Sequence, residues 1–291
     1  MNRRNFLGTI SAATFLSSRL GFAADNHRIE KIGVQLYTVR NQIKQDFEGT
    51  IAKVAQIGYK EVEFAGYFDH SPKDIRAILE RNRLTGPSAH VEYKVLSPDQ
   101  WPQALEAAKV IGHEYIVNPW VPEELRKSPD DWKRVAENFN RAGAESKKAG
   151  IQFAYHNHWF EFQPMSDGQL PYDILLKNCD ASLVKMELDL CWITVAGKDP
   201  LQYFSRYPGR FPLVHVKDTK GIPGADATKA QDFGSSMKEM TEVGSGIIDW
   251  KRIFANSNEA GIKHYFVEHD NPSSPFESIT KSYRYLEQLR F

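Results

Sequence analysis

Several features that would assign the chain to a familiar class are scarce or missing. The 291 residues contain only two cysteines, Cys179 and Cys191, so neither a disulfide scaffold nor a cysteine-rich zinc site is expected. The 37 basic residues balance 37 acidic ones, and a chain without a basic excess is poorly suited to bind nucleic acid. After the first 24 residues, no apolar run reaches the length that crosses a membrane. These absences favour a globular protein with a small-molecule ligand.

Two kinds of motif are also absent. Neither G-x-G-x-x-G nor G-x-x-x-x-G-K-[ST] follows the first predicted strand, which argues against a nucleotide-binding sheet. The chain has no G-x-S-x-G elbow, so chemistry at a nucleophilic serine finds no support.

The N-terminus has the composition of an export signal. Arg3 and Arg4 precede a weakly apolar stretch that ends in small residues at Ala23-Ala24. This order is typical of a twin-arginine signal peptide. We therefore expect the export machinery of that pathway to recognise residues 1–23, which are then cleaved. The remaining residues, 24–291, would be periplasmic or otherwise exported, with no membrane association after cleavage.

From residue 31 onward, short runs rich in Val, Ile, Phe and Tyr alternate with amphipathic stretches that begin at proline or end at glycine. Eight strand-then-helix units are the number found in a (β/α)8 barrel. The predicted fold is therefore an α/β TIM barrel that forms a single domain over residues 24–291, and a doubly wound open sheet is the alternative. The predicted strands are Lys31–Leu36, Lys60–Phe64, Gly86–Val91, Glu114–Asn118, Ile151–Tyr155, Leu183–Leu188, Leu213–Val216 and His264–Glu268.

Acidic and histidine side chains recur where these strands end. In a parallel barrel the carboxyl ends of the strands form one face, and that face carries the active site. Carboxylate and imidazole ligands without thiolate suit Mn, Co, Mg or Zn, so the pattern predicts one divalent metal ion. Such an ion polarises sugar oxygens, and a nearby Glu or His can then move a proton on carbon. The strand-end residues are Glu63, His90, His156, His158, Glu161, Glu187, Asp189, His215, Lys217, Asp218, Glu268 and Asp270.

Motifs along essentially the whole mature chain resemble those of a known family. The family is the xylose isomerase-like barrel superfamily, in its sugar phosphate isomerase/epimerase branch. The matching segments include Tyr155-His156-Asn157-His158, Glu187-Leu188-Asp189, His215-Val216-Lys217-Asp218 and Val243-Gly244-Ser245-Gly246.

The resemblance implies a metal ion held by side chains from strands five to eight. Asp189, His215 and Glu268 match three of the family's ligands. The family has a glutamate on strand five, where this chain has His156. The fourth ligand is therefore either Glu161, reaching back from the following loop, or His156, and Glu161 is preferred.

The resemblance also implies roles for the surrounding residues. Glu63 matches a glutamate that lies near the substrate in the family, and with His158 and Glu268 it is expected to carry the catalysis. The candidates for the pair that moves the proton are Glu63, His158 and His90. The residues expected to bind substrate are His90, His156, Trp192 and Lys217. Lys217 could instead form an ion pair with Asp218 or Glu187. Trp192 and Trp120 could stack on a sugar ring or pack within the protein.

The expected function is that of an exported, metal-dependent sugar isomerase or epimerase. It would act through an enediolate on a sugar or keto-sugar. Loss of a β-substituent from the same intermediate would make the protein a lyase on a 3-keto-glycoside or related oxidised sugar. The further alternatives are a non-catalytic sugar-binding barrel and a nuclease, the latter disfavoured by the zero net charge. Related barrels often assemble, so a homo-oligomer is also an expectation.

Overall fold

The structure is a computed structural model that describes residues 27–221 and 233–291. The predicted signal peptide, residues 1–23, lies outside the described residues, as does part of the irregular segment 219–242. Within the described ranges, the helices are all too short or too polar to cross a membrane.

Eight parallel strands close into a barrel, in which the first strand pairs with both the second and the last. This confirms the predicted (β/α)8 fold, and every predicted strand overlaps an observed one. The doubly wound open sheet is excluded because the strand order closes on itself. The strands are β1 Ile32–Gln35, β2 Glu61–Phe64, β3 Thr85–His90, β4 Tyr115–Asn118, β5 Gln152–His156, β6 Val184–Asp189, β7 Leu213–Val216 and β8 His264–Val267.

Helices follow the strands along the chain. Pro72, Pro129 and Pro200 each open a helix, where the missing amide hydrogen costs nothing. The helices within the described residues are α1 Arg40–Gln45, α2 Phe47–Ile57, α3 Pro72–Arg81, α4 Trp101–Ile111, α5 Pro129–Lys148, α6 Pro171–Asn178, α7 Leu190–Val195, α8 Pro200–Arg206, α9 Phe233–Glu239, α10 Trp250–Phe254, α11 Ser257–Ala260 and α12 Pro275–Gln288. A short antiparallel ribbon pairs Asp218–Thr219 with Met240–Thr241.

Apolar side chains form two separate clusters because successive residues of a strand face opposite sides of the sheet. The larger cluster joins the outer face of the strands to the helices. The smaller one fills the inside of the barrel, and Gly33 makes room for it, because a Cβ atom there would lie 2.6 Å from Phe266 Cδ1. The inner cluster consists of Tyr115, Val117, Ala154, Leu213 and Phe266. It forms an apolar floor beneath the carboxyl ends of the strands.

The carboxylate of Asp218, directly after β7, organises the loop that contains the Val243-Gly244-Ser245-Gly246 motif. It accepts hydrogen bonds from the backbone amides of Gly244, Gly246 and Ile248 at 2.9, 3.2 and 3.3 Å. It also accepts one from Trp250 Nε1 at 3.0 Å. The approach is so close that a Cβ atom on Gly246 would lie 2.1 Å from Asp218 Oδ1. The motif's glycines therefore allow the loop to wrap around one buried carboxylate.

Replacing Asp218 with alanine should lower the free energy of unfolding by at least about 3 kcal/mol, because several buried donors lose their acceptor. Chemical denaturation of the two proteins measures this difference. Asp130→Ala is the matched control, since Asp130 is exposed and pairs only with Lys133 at the protein surface. It should cost much less than Asp218→Ala. Equal losses in the two variants would contradict the role assigned to Asp218.

Candidate metal and active site

Glu187, on β6, lies at the centre of a group of histidines. One of its oxygens, Oε2, is 2.7 Å from His90 Nε2, 3.1 Å from His156 Nδ1 and 3.2 Å from His215 Nε2. The second oxygen, Oε1, is buried and accepts no hydrogen bond. These four side chains place one ligand atom each within 4.8 Å of one another, close enough to hold a metal ion.

A second group of possible ligands shares His215 with the first. It consists of Asp189 on β6, His215 on β7 and Glu268 directly after β8, all buried. His215 Nδ1 lies 2.7 Å from Glu268 Oε2 and 4.0 Å from Asp189 Oδ2. This donor set of two carboxylates and one imidazole is one that binds divalent ions such as Zn or Mn.

Lys217 connects the second group to a further acid. Its Nζ lies 2.7 Å from Glu268 Oε2, 2.9 Å from Asp270 Oδ1 and 3.1 Å from Asp189 Oδ2. Burial opposes the charge, but these three carboxylates outweigh it and raise the pKa of Lys217 well above its usual value. The side chain is therefore an ammonium ion at the edge of the possible metal site.

Glu63, on β2, lies beneath the histidines and is fully buried. Gln35 Nε2 donates a hydrogen bond to its Oε2 at 2.8 Å, and Ser88 Oγ donates one to its Oε1 at 2.5 Å. His215 Nε2 lies 2.6 Å from Glu63 Oε2. Glu63 does not line the cavity described below. Its contacts instead orient His215.

The histidines differ in protonation because their neighbours differ. Burial opposes charge on His215, but Glu187, Glu268 and Glu63 overcome it and raise its pKa well above the usual value. Burial and the neighbouring His215 lower the pKa of His156 to about 3. Burial, followed by His156, also lowers the pKa of His158 well below its usual value. His158 is therefore neutral at pH 7, and its Nδ1 has no hydrogen-bond partner.

Negative charge dominates the interior of the site. Buried carboxylates exceed the cationic side chains in direct contact with them, which are Lys217 and the histidines whose pKa values are raised, His90 and His215. A low-dielectric interior makes uncompensated charge costly, so a divalent cation would be stabilised here. The carboxylates are Glu63, Glu187, Asp189, Glu268 and Asp270.

A cavity of about 760 Å³ opens above these groups at the carboxyl ends of the strands. His90, His156, His158, Lys217 and Glu268 contribute to its wall, so the cluster is accessible to a small molecule. The outer wall is more apolar and includes Tyr37 and Trp120. The volume is within the range of 300–1,000 Å³ that is typical of sites for drug-sized ligands.

Two predicted residues are not where a ligand or a stacking surface would be: Glu161 is not part of the cluster, and Trp192 packs beside it, with its ring centre 5.7 Å from Lys217 Nζ. Glu161 lies in the 3-10 turn Phe160–Phe162, where its carboxylate accepts hydrogen bonds from Tyr155 Oη and from the His158 amide. Burial raises the pKa of Glu161 to about 7. Trp192 is fully buried in α7, whose first turn is capped by Asp189, and it is not part of the cavity wall. On strand five, the residue that belongs to the cluster is His156.

Two residues of the site were not assigned a role from the sequence, although each is a strand-end acid. Glu187 precedes Asp189 by two positions on β6, and Asp270 follows Glu268 by two positions. Residues two apart on a strand share a face, so this spacing indicates that Glu187 faces the same side as Asp189. Asp270 lies beyond β8, and its ion pair with Lys217 and its place in the cavity wall show that it faces the same way.

The fold and this cluster together define a (β/α)8 barrel with a buried carboxylate–imidazole site at the carboxyl ends of its strands. Residues 51–289 match the family described as xylose isomerase-like TIM barrel. The chain belongs to this family, which confirms the resemblance at the level of the superfamily.

Relatives named inosose dehydratase cover most of the chain at low identity. An inosose dehydratase of Lacticaseibacillus casei is 25% identical over 270 residues, which are 83% of this chain and 89% of the relative. The inosose dehydratase of Geobacillus thermodenitrificans is 26% identical over 270 residues, with the same coverage.

Solved structures with a similar fold also cover most of the chain. A sugar phosphate isomerase/epimerase from Parabacteroides distasonis superimposes with a TM-score of 0.73 at 27% identity, over 89% of this chain and 96% of that one. A structure described as the IOLI protein with a binding zinc atom has a TM-score of 0.67 over 87% and 95% of the two chains. Its 14% identity shows the fold alone.

Proposed function

We propose that the protein is a divalent-metal-dependent lyase that eliminates water or another β-substituent from a keto-sugar or a cyclic keto-polyol. The observation that carries this proposal is the buried carboxylate–imidazole cluster, which opens onto a cavity beside the charged Lys217. The relatives named inosose dehydratase support elimination over isomerisation or epimerisation, which begin with the same removal of a proton.

The residues present suit a metal ion. Among the described residues, one buried oxygen of Glu187 has no hydrogen-bond partner, and buried carboxyl groups outnumber the cationic side chains around it. Asp189, His215 and Glu268 would hold the ion, and His156 and Glu187 are the nearest further ligands. A divalent ion at this position would polarise the substrate carbonyl and so make the adjacent C–H bond more acidic.

His158 and Lys217, both in the cavity wall, have different roles in the reaction. His158 is neutral and lines the cavity, so its imidazole can accept the proton from the carbon next to the carbonyl. The resulting imidazolium returns this proton to the departing β-oxygen as the C–O bond breaks, which releases water and leaves a C=C bond conjugated to the carbonyl. Lys217 would donate a hydrogen bond to the oxygen on which negative charge develops. Return of the proton to carbon instead would give an isomer or an epimer.

Metal analysis of the purified protein tests the site directly. We expect about one divalent ion per chain after incubation with Mn, Co or Zn, and its loss in Asp189→Asn because a ligand charge is removed. Glu161→Gln is the matched control and should keep the ion, since Glu161 is bonded to Tyr155 and the His158 amide.

Two results would change the assignment. Loss of the metal in Glu161→Gln as complete as in Asp189→Asn, with both variants folded by circular dichroism, would make Glu161 the strand-five ligand. A wild-type protein that binds none of these ions would overturn the metal-dependent reaction.

His158→Gln should lower kcat by roughly 10²–10⁴-fold and leave the metal content unchanged, because a general base is removed without removing a ligand. The substrates to use are inosose and a 3-keto-glucoside, and absorbance of the conjugated product follows the elimination. His70→Gln is the control, because His70 packs on Phe47 outside this cavity. An unchanged kcat in His158→Gln would exclude His158 as the base, and a product with no new double bond would exclude elimination.

We also propose that the protein is exported by the twin-arginine pathway, on the basis of Arg3-Arg4 and the stretch that follows. Cell fractionation should find the wild type outside the cytoplasm with Ala24 as its first residue. The double variant Arg3→Lys, Arg4→Lys should remain inside at full length. Equal distribution of the two proteins would contradict export by this route.

A further inference from the structure

The cavity wall contains two aromatic side chains that the fold leaves exposed. Tyr37 is 42% exposed and Trp120 is 39% exposed, although most aromatic residues in the described chain are buried. Both line the cavity. The other large apolar side chains with similar exposure, Leu125 and Ile247, are not part of its wall. The exposed aromatic surface is therefore concentrated at this site.

Trp120 is held in place from several sides. The Arg126 guanidinium lies 4.6 Å from the centre of its ring system. Phe160 and His158 pack against it edge-on, with ring centres 5.0 and 4.9 Å away. A ring fixed by these contacts loses little conformational freedom when a ligand stacks on its exposed part.

Tyr37 is fixed in a similar way in the wall of the same cavity. The Arg40 guanidinium lies 3.9 Å from the centre of the Tyr37 ring. Arg40 also donates hydrogen bonds to the carbonyl oxygens of Tyr37 and Asp270, at 2.7 and 2.8 Å. The Tyr37 amide donates one to Gln35 Oε1 at 3.0 Å. The residue is thus tied to the ends of β1 and β8.

Both aromatic side chains lie close to the reactive groups. The His158 ring separates Trp120 from His156, with ring centres 4.9 and 5.0 Å from those two neighbours. Next to Tyr37, Arg40 bonds to the carbonyl oxygen of Asp270, whose carboxylate binds Lys217. A substrate ring placed at the cluster would therefore bring its substituent next to these aromatic surfaces. A single sugar ring would fill only part of a cavity of about 760 Å³.

The charges of the cavity wall favour an uncharged substituent over a phosphate group. Lys94 lies 2.5 Å from Glu92, and Lys217 is surrounded by three carboxylates. Arg40 is bonded to two carbonyl oxygens. Each cation of the wall thus has an acidic or carbonyl partner, and the aromatic surfaces are open to a ligand.

We propose that Tyr37 and Trp120 form a second subsite, which binds a six-membered ring carried by the oxidised sugar. The substrate would then be a keto-glycoside, with either a second sugar or an aromatic aglycone, and not a free monosaccharide. The identity of the oxidised sugar rests on the proposed function, but the subsite itself does not. Stacking of a ring on fixed tyrosine and tryptophan side chains supplies the affinity.

Isothermal titration tests the subsite without turnover. The probes are methyl β-D-glucopyranoside, phenyl β-D-glucopyranoside and cellobiose. The two ring-bearing probes should bind the wild type roughly tenfold more tightly than the methyl glycoside. Trp120→Ala and Tyr37→Ala should each remove most of this advantage and leave the methyl glycoside unaffected. Tyr37→Phe, which retains the ring, and Ile247→Ala, which changes an exposed residue outside the cavity, should behave as the wild type.

The two probes separate the possible sources of the ring. An advantage for phenyl glucoside alone indicates an aromatic aglycone, an advantage for cellobiose alone indicates a second sugar, and either result supports the subsite. Equal affinity for all three probes, absence of binding by both ring-bearing probes, or an advantage that persists in both alanine variants would overturn it. Ring-dependent binding without elimination activity would reject the proposed reaction and keep the subsite. Elimination activity without ring-dependent binding would reject the subsite alone.

Discussion

The structure depends on the need to balance negative charge that is buried at the carboxyl ends of the strands. Five carboxylates lie there with almost no exposure to solvent. Isolated buried charges are too costly to persist, so each must be paired, protonated or bound to a cation. His215 lies between Glu63 and Glu268, and Lys217 lies among Asp189, Glu268 and Asp270. The high pKa values of these two side chains are a consequence of the same requirement.

The eight strands were predictable because the physical signal for them is local. Short runs of β-branched and aromatic residues, separated by helical stretches with proline or glycine at their ends, repeat along the chain. The convergence of Asp189, His215 and Glu268 followed from the fold, since the carboxyl ends of parallel strands must meet. Their proximity required no knowledge of side-chain packing.

The positions of Glu161 and Trp192 depend on geometry beyond a single strand. The segment after β5 turns into a 3-10 helix, which directs Glu161 towards Tyr155 instead of towards the centre of the barrel. No local pattern encodes that direction. Similarly, Asp189 caps α7 through the amides of Cys191 and Trp192, and this turn buries Trp192. Which tryptophan stays exposed is therefore decided by tertiary packing, and the exposed one at the cavity is Trp120.

The chemistry proposed for the site follows from a contrast between histidines in the same wall. His90 is hydrogen-bonded to Glu187, and Glu63 and Glu187 raise its pKa against the opposing effect of burial, so it tends to hold its proton. The neighbours of His158 are aromatic rings, and its Nδ1 has no hydrogen-bond partner. Both rings lie close to His156, so position alone does not distinguish them. A general base must be unprotonated before the reaction begins. In this cavity, the absence of a carboxylate partner keeps His158 unprotonated.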